Sequence, residues 1–294
     1  MSDAVTIVAP GSRGDVLPLV ALGVELDRAG HRVRVAVRDD MAGLVAGAGL
    51  ERLPLAHSLR LPARDLVIGR SDAADVRVHL RPGMVSSPLD GPALLAFSPC
   101  LAPPVGDLPG RVAVTGFWFY DAGEGWRPPA EVEAFLESGP PPVYIGVDEP
   151  DLVRAALRES GLRAVGAGCE GGADVPLDWL LPRAAAAVHR GDAETAAAAA
   201  RAGIPSVTVL GAEAAWAAGL HELGAAPAPI PRAELNAERL AAALAETGTE
   251  EMRTAAERLG RRIRSEGGTE TALAALRAWR LLPEPEPVGG SRYL

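Results

Sequence analysis

Lysine is missing altogether: all 29 basic residues are arginine. Without an ε-amine the chain cannot form a lysine Schiff base, which excludes pyridoxal phosphate catalysis of the usual kind. It also cannot supply the lysine of a Walker A loop. Cysteine is nearly as scarce. Cys100 and Cys169 are the only two, too few for a disulfide framework or a usual zinc site, and they read as buried thiols of a reducing cytoplasm. Long apolar runs are absent near the start as well. Val5 to Ala9 is short and nothing basic stands between Met1 and Gly11, so neither a signal peptide nor a membrane span is expected. Positive charge is in deficit, with a formal net charge of −9, which argues against nucleic acid as a partner. What remains is a 294-residue chain, 48% hydrophobic, able to bury one large core or two modest ones.

The first forty residues read as a βαβ unit. Ala4 to Ala9 is a β-branched apolar run, and Pro10 to Asp15 is a Gly-containing turn. Val16 to Ala29 carries helical periodicity through Val16, Leu19, Val20 and Val24, and Gly30 stops it. His31 to Val37 is a second strand, and two strands joined by a helix imply an α/β layer fold. From Arg60 to Leu89 the pattern dissolves into charged, Pro-containing sequence. Short apolar runs resume at Leu94 to Phe97 and Val112 to Val114. Strands are then expected at Val143 to Val147, Ala184 to His189 and Ser206 to Leu210. Helices are expected at Ala193 to Ala202, Ala214 to Leu223, Asn236 to Ala245, Glu250 to Ser265 and Glu270 to Leu281.

Three ordered segments carry a family resemblance. The first is Gly11-Ser12-Arg13-Gly14-Asp15-Val16. The second is Phe97-Ser98-Pro99 followed by Val114-Thr115-Gly116-Phe117-Trp118. The third runs from Val175-Pro176-Leu177-Asp178-Trp179 through His189-Arg190-Gly191 and Gly203-Ile204-Pro205 to Leu223-Gly224 and Pro227 to Pro231. In this order they resemble the bacterial sterol-glucosyltransferase-like and antibiotic glycosyltransferases of the UDP-glycosyltransferase family. The resemblance implies an α/β chain of two Rossmann-like domains (GT-B-like), the N-terminal domain truncated. It places a shortened acceptor-side domain at 1–121, a linker at 122–139, a donor-side domain at 140–282 and a flexible tail at 283–294. Ligands in such folds sit beyond the carboxyl ends of the strands.

The resemblance assigns roles residue by residue. Asp15 falls on the family's proposed general base, which takes the acceptor hydroxyl proton; its alternative is a helix cap. Ser12 and Arg13 share its loop and are expected to touch substrate. His189 matches the first histidine of the family's His-His-Gly-Gly-Ala-Gly-Thr loop, where backbone amides at a helix N-terminus hold a diphosphate. Here that loop reads His189-Arg190-Gly191-Asp192-Ala193-Glu194-Thr195. Two glycines have become acids, and negative charge stands where a diphosphate belongs. After the next strand the family commonly has Asp-Gln-Pro-Phe-Trp, against Ala212-Glu213-Ala214-Ala215-Trp216 here. Trp179 lies near the usual nucleobase pocket of the family, or else in the core.

The substitutions share a sign. Asp15, Asp148, Glu149, Asp192, Glu194 and Glu213 all follow expected strands. An acidic site would suit a divalent cation such as Ca²⁺ or Mg²⁺, with Asp192 and Glu194 as ligands, or a cationic small molecule; solvated acids and helix caps are the alternative. Three functional classes stay open. One is a glycosyltransferase homologue repurposed for other small-molecule chemistry in natural-product biosynthesis. Another is an inverting transferase using a UDP- or dTDP-sugar, the one reading that requires a nucleotide sugar. The third is a non-catalytic auxiliary, for which a homodimer or a partner protein would cover exposed surface.

Overall fold

The computed structural model describes residues 4–55, 66–70, 78–81, 92–102, 110–121, 126–167, 169, 175–210 and 215–283. These divide into two units. Unit 1 takes the described residues of 1–99, 103–120 and 266–294, and unit 2 those of 100–102 and 121–265.

Unit 1 opens with β1 (Val5–Ala9), α1 (Arg13–Arg28) and β2 (Val33–Val37), followed by α2 (Ala42–Gly47) and β3 (Glu51–Pro54). Every residue of β1 is buried, as befits a strand covered on both faces. α1 begins three residues before the expected Val16, because Ser12 has the extended backbone of an N-cap and Arg13 already turns. β4 (Leu66–Arg70), β5 (Val78–Arg81), β6 (Ala93–Leu95) and β7 (Val112–Val114) complete a seven-stranded sheet in the order β3-β2-β1-β4-β5-β6-β7, with every pair parallel. β4 and β5 fall in the stretch that reads as irregular; the rest of the expected N-terminal shortening lies outside the described residues. Ile68 of β4 is fully buried beside Ile7 and Leu94 in the unit 1 core.

Unit 2 contains α3 (Ala130–Glu137), β8 (Val143–Ile145), α4 (Pro150–Ser160), β9 (Ala164–Gly166) and α5 (Leu177–Leu180). Next come β10 (Ala186–His189), α6 (Ala193–Ala202), β11 (Ser206–Leu210), α7 (Ala215–Glu222) and β12 (Ile230–Pro231). α8 (Ala237–Thr247) and α9 (Glu250–Arg264) close the unit. Its five strands run parallel in the order β12-β11-β10-β8-β9. One sheet face, with Val143, Ile145, Val188, Val207 and Val209, packs with Val153 and Ala156 of α4 and Leu240 and Leu244 of α8. The other carries Ala187 against Leu181 and Ala199, with Tyr144 alongside.

Two boundaries differ from the sequence expectation. The stretch 122–139, expected as linker, contains α3, whose Val132 is buried with Val165 and Leu180 in unit 2. The last helix, α10 (Gly268–Ala278), was expected in the donor-side domain, yet its Ala272, Leu273 and Leu276 join the α1 core of unit 1. Periodicity gives a helix its apolar face but does not say which core receives it. The chain enters α10 past Glu266, which accepts a 2.6 Å hydrogen bond from Ser98 Oγ in the same unit. Of the expected tail, residues 284–294 lie outside the described residues.

Candidate functional site

The first turn of α1 holds the candidate base. Asp15 is the third residue of the helix, and its Oδ2 accepts from both the backbone N–H and the Oγ–H of Ser12, each at 2.9 Å. That is the carboxylate half of a capping box. Gly11 makes room for it: a Cβ there would lie 2.3 Å from Asp15 Cβ and from Oδ2. Asp15 is half-buried, and Ser12 and Arg13 are exposed. Replacing Asp15 by Ala is expected to destabilise unit 1 by about 1 kcal/mol through the lost cap, read as a lowered thermal midpoint by circular dichroism. An unchanged midpoint would show that the cap contributes nothing.

In unit 2 the strand register assembles a polar patch at the carboxyl ends of β8, β10 and β11. Tyr144 pairs with Ala187, and His189 with Thr208. Alternation along β10 puts Ala187 and His189 on the same face, so Tyr144, His189 and Thr208 share it. The phenol of Tyr144 is half-buried and leans over glycines. A Cβ on Gly146 or Gly166 would meet its ring at 3.0 and 3.2 Å. Burial pushes its pKa up, and the charges of Asp192 and Glu194 push it further, so the hydroxyl stays a proton donor. Tyr144 and Thr208 escape sequence reading because only the register places them beside His189.

His189 is fully buried. Its Nδ1 accepts the Gly191 N–H at 3.0 Å, so the ring proton sits on Nε2, which has no partner among the described residues. Burial lowers its pKa to about 4 against the opposing pull of Asp192. At neutral pH it is therefore an uncharged Nε2–H donor. Thr208 Oγ1, beside it on β11, is also buried without a partner among the described residues.

The loop from Gly191 to Thr195 turns Asp192 to local work. Gly191 takes φ 80°, a left-handed conformation that glycine adopts freely. Asp192 then caps α6, with Oδ1 accepting the Thr195 N–H at 2.8 Å. Thr195 is itself buried. Glu149, expected in the acidic set, is ion-paired with Arg232 at 2.6 Å, and Asp148 is exposed. Glu213 lies outside the described residues. Among the described residues no group of three or more His, Cys, Asp or Glu is placed to hold a metal ion. Asp192 faces its own helix and Glu149 already has a cation, so neither stands as a ready ligand beside Glu194 for the expected divalent cation.

Of the two tryptophans expected to touch substrate, one is buried and the other half-buried. Trp216 is 6% exposed at the start of α7. Trp179 lies on α5, just before β10 begins, with its ring 5.3 Å from that of Trp126 and the Arg183 guanidinium 4.2 Å above it. That is the amino edge of the sheet, whereas His189 and Asp192 are at the carboxyl edge. The structure brings together Tyr144, His189, Asp192, Glu194 and Thr195 within unit 2, and Ser12 with Asp15 within unit 1. It does not bring Trp179 to the loop.

Residues 148–272 match the family model "Erythromycin biosynthesis protein CIII-like, C-terminal domain". O-mycaminosyltylonolide 6-deoxyallosyltransferase of Streptomyces fradiae is 37% identical over 210 residues, 64% of this chain and 50% of that protein. Sterol 3-beta-glucosyltransferase UGT80A2 of Arabidopsis thaliana is 31% identical over 268 residues, 78% of this chain and 41% of that protein. The chain thus spans half the length of the first relative and less of the second. Among solved structures, the glycotransferase of kitacinnamycin superposes with a TM-score of 0.72 at 17% identity, covering 96% of this chain and 100% of that one. Spinosyn rhamnosyltransferase SpnG also gives 0.72, at 16% identity, covering 93% and 100%. No described helix is long and apolar enough to cross a membrane. The chain has the GT-B fold and is similar in sequence to antibiotic and sterol glycosyltransferases, and its residues 148–272 match the erythromycin biosynthesis protein CIII-like C-terminal domain model.

Proposed function

We propose that this protein acts in specialised metabolism with an impaired nucleotide-sugar site, and that the carboxyl edge of unit 2 serves small-molecule chemistry other than glycosyl transfer. The observation that carries this reading is the Asp192 cap. Its carboxylate takes the Thr195 N–H at 2.8 Å, one of the donors that a helix N-terminus would otherwise offer a diphosphate. Glu194 adds a second negative charge in the first turn. Two like charges about 4 Å apart at an effective dielectric of ~20 repel by about 4 kcal/mol. Even a third of that weakens binding about tenfold. The residues of unit 2 left to act on a substrate are the Tyr144 hydroxyl and His189 Nε2–H as donors. The substrate is a hydroxylated or cationic small molecule, and the protein works in the cytoplasm.

A second reading, an active inverting transferase acting on a natural-product hydroxyl, is favoured by the retained Asp15, His189 and Thr195. One experiment separates the two: calorimetric titration with UDP and with dTDP at moderate salt in Mg²⁺. The impaired site gives no binding up to about millimolar nucleotide, whereas a Kd of about micromolar establishes the transferase.

A further inference from the structure

A groove of about 850 Å³ opens at the amino edge of the unit 2 sheet. That size lies within the ~300–1,000 Å³ of small-molecule sites. Its position follows from its lining. Gly139 and Pro141 precede β8 and Arg183 precedes β10, so it lies across the sheet from the Asp192 loop.

The groove combines an aromatic wall with a charged rim. Trp126 and Trp179 meet at 5.3 Å with their planes tilted by 59°. Arg183 holds Trp179 in place, with its guanidinium 4.2 Å above the ring and Nη1 donating at 2.6 Å to the Trp179 carbonyl. Around these rings stand Arg127, Glu133 and Glu137, all exposed, with Asp178 half-buried. The guanidiniums of Arg127 and Arg183 nearly balance the carboxylates of Glu133, Glu137 and Asp178, so the groove does not strongly attract an ion of either sign. An open, charged rim also does not suit a wholly apolar ligand. What fits both features is a neutral molecule with apolar C–H faces and many hydroxyls. Pyranose C–H groups lie against the electron-rich face of an indole. Paired hydroxyls match the planar bidentate geometry of guanidinium and carboxylate groups.

We propose that this groove is a second small-molecule site, separate from the Asp192 loop, and that it binds a neutral saccharide against Trp126 and Trp179. The proposal does not depend on whether the loop binds a diphosphate.

The test uses the full chain and maltotriose as probe, followed by saturation-transfer NMR and calorimetry. Saturable binding is expected, with a Kd of about 1 mM or tighter. Trp126→Ala and, separately, the exposed Glu137→Gln should each weaken it several-fold. The Asp192→Gly/Glu194→Gly pair and added uridine should leave it unchanged. Non-saturable binding, or affinity untouched by both groove variants, overturns the proposal. Competition by uridine also overturns it, since the groove would then hold a nucleobase. If Trp126→Ala fails to fold, Glu137→Gln decides, because its side chain lies at the exposed rim.

Discussion

Replacing Gly166 by alanine is expected to destabilise unit 2 by about 3 kcal/mol or more. Two penalties combine. Gly166 takes φ 115°, a backbone region that L side chains rarely adopt. A Cβ there would also stand 2.5 Å from the Ile145 carbonyl oxygen and 3.2 Å from the Tyr144 ring. The carbonyl cannot step aside, because Ile145 O accepts the Ala167 N–H at 2.8 Å. The strain falls on the carboxyl ends of β8 and β9, which hold Tyr144 over the polar patch. Denaturant unfolding of wild type and variant measures the effect. A loss below about 1 kcal/mol would mean that the β8–β9 junction is looser than its geometry implies. Gly43, with nothing within 4 Å of its added Cβ, is the control position.

Acid should destabilise the protein through His189 before most carboxylates titrate. In the unfolded chain the imidazole takes up a proton as pH falls through 6.5; in the folded chain burial holds the pKa at about 4. The unfolded state therefore binds more protons between these values. The stability is fully present above about pH 6.5 and is lost as pH falls towards 4. The gap amounts to about 2 kcal/mol by pH 5 and about 3 kcal/mol by pH 4. His31 contributes in the same direction, its pKa lowered first by burial and then by Arg277. A His189→Gln variant isolates the contribution of the buried imidazole: its stability, compared at pH 7.5 and pH 5, should change by about 2 kcal/mol less than wild type. Equal slopes for the two proteins would show that His189 titrates normally and is reached by water.

Much of the architecture was legible where local signals and periodicity agree. α6 spans the expected Ala193 to Ala202 because Asp192 caps one end and Gly203, at φ 77°, ends the other. β11 spans the expected Ser206 to Leu210. α4 carried comparable punctuation, with Pro150 in its first turn and Gly161 at φ 67° after its last, and was not read from it. β4 and β5 hid in a charged, Pro-containing stretch because each is short and takes its place only by pairing with neighbours. The site was legible to the level of the loop. Asp192 and Glu194 stood out as replacements for glycine, but the direction of the Asp192 carboxylate depends on helix-cap geometry. Tyr144 was invisible, since no local pattern says that it shares a sheet face with His189. Trp179 takes the core alternative, packed against Val132, Val165 and Leu180; α5 lies between the carboxyl end of β9 and the amino end of β10, and sequence spacing does not say nearer which end the indole stands.

The central claim, that Asp192 and Glu194 close the diphosphate position, is tested most directly by restoring the glycines. Asp192→Gly with Glu194→Gly removes both charges and frees the Thr195 N–H. The lost cap costs only a few tenths of a kcal/mol, since glycine is itself tolerated at an N-cap, and the glycine introduced inside the helix about 1 kcal/mol more, so the variant should fold. UDP and dTDP are titrated calorimetrically into wild type and variant under the same salt. The closed loop predicts no binding by wild type and a gain of about tenfold or more in the variant. Equal affinities in the two proteins, whether tight or absent, would contradict it.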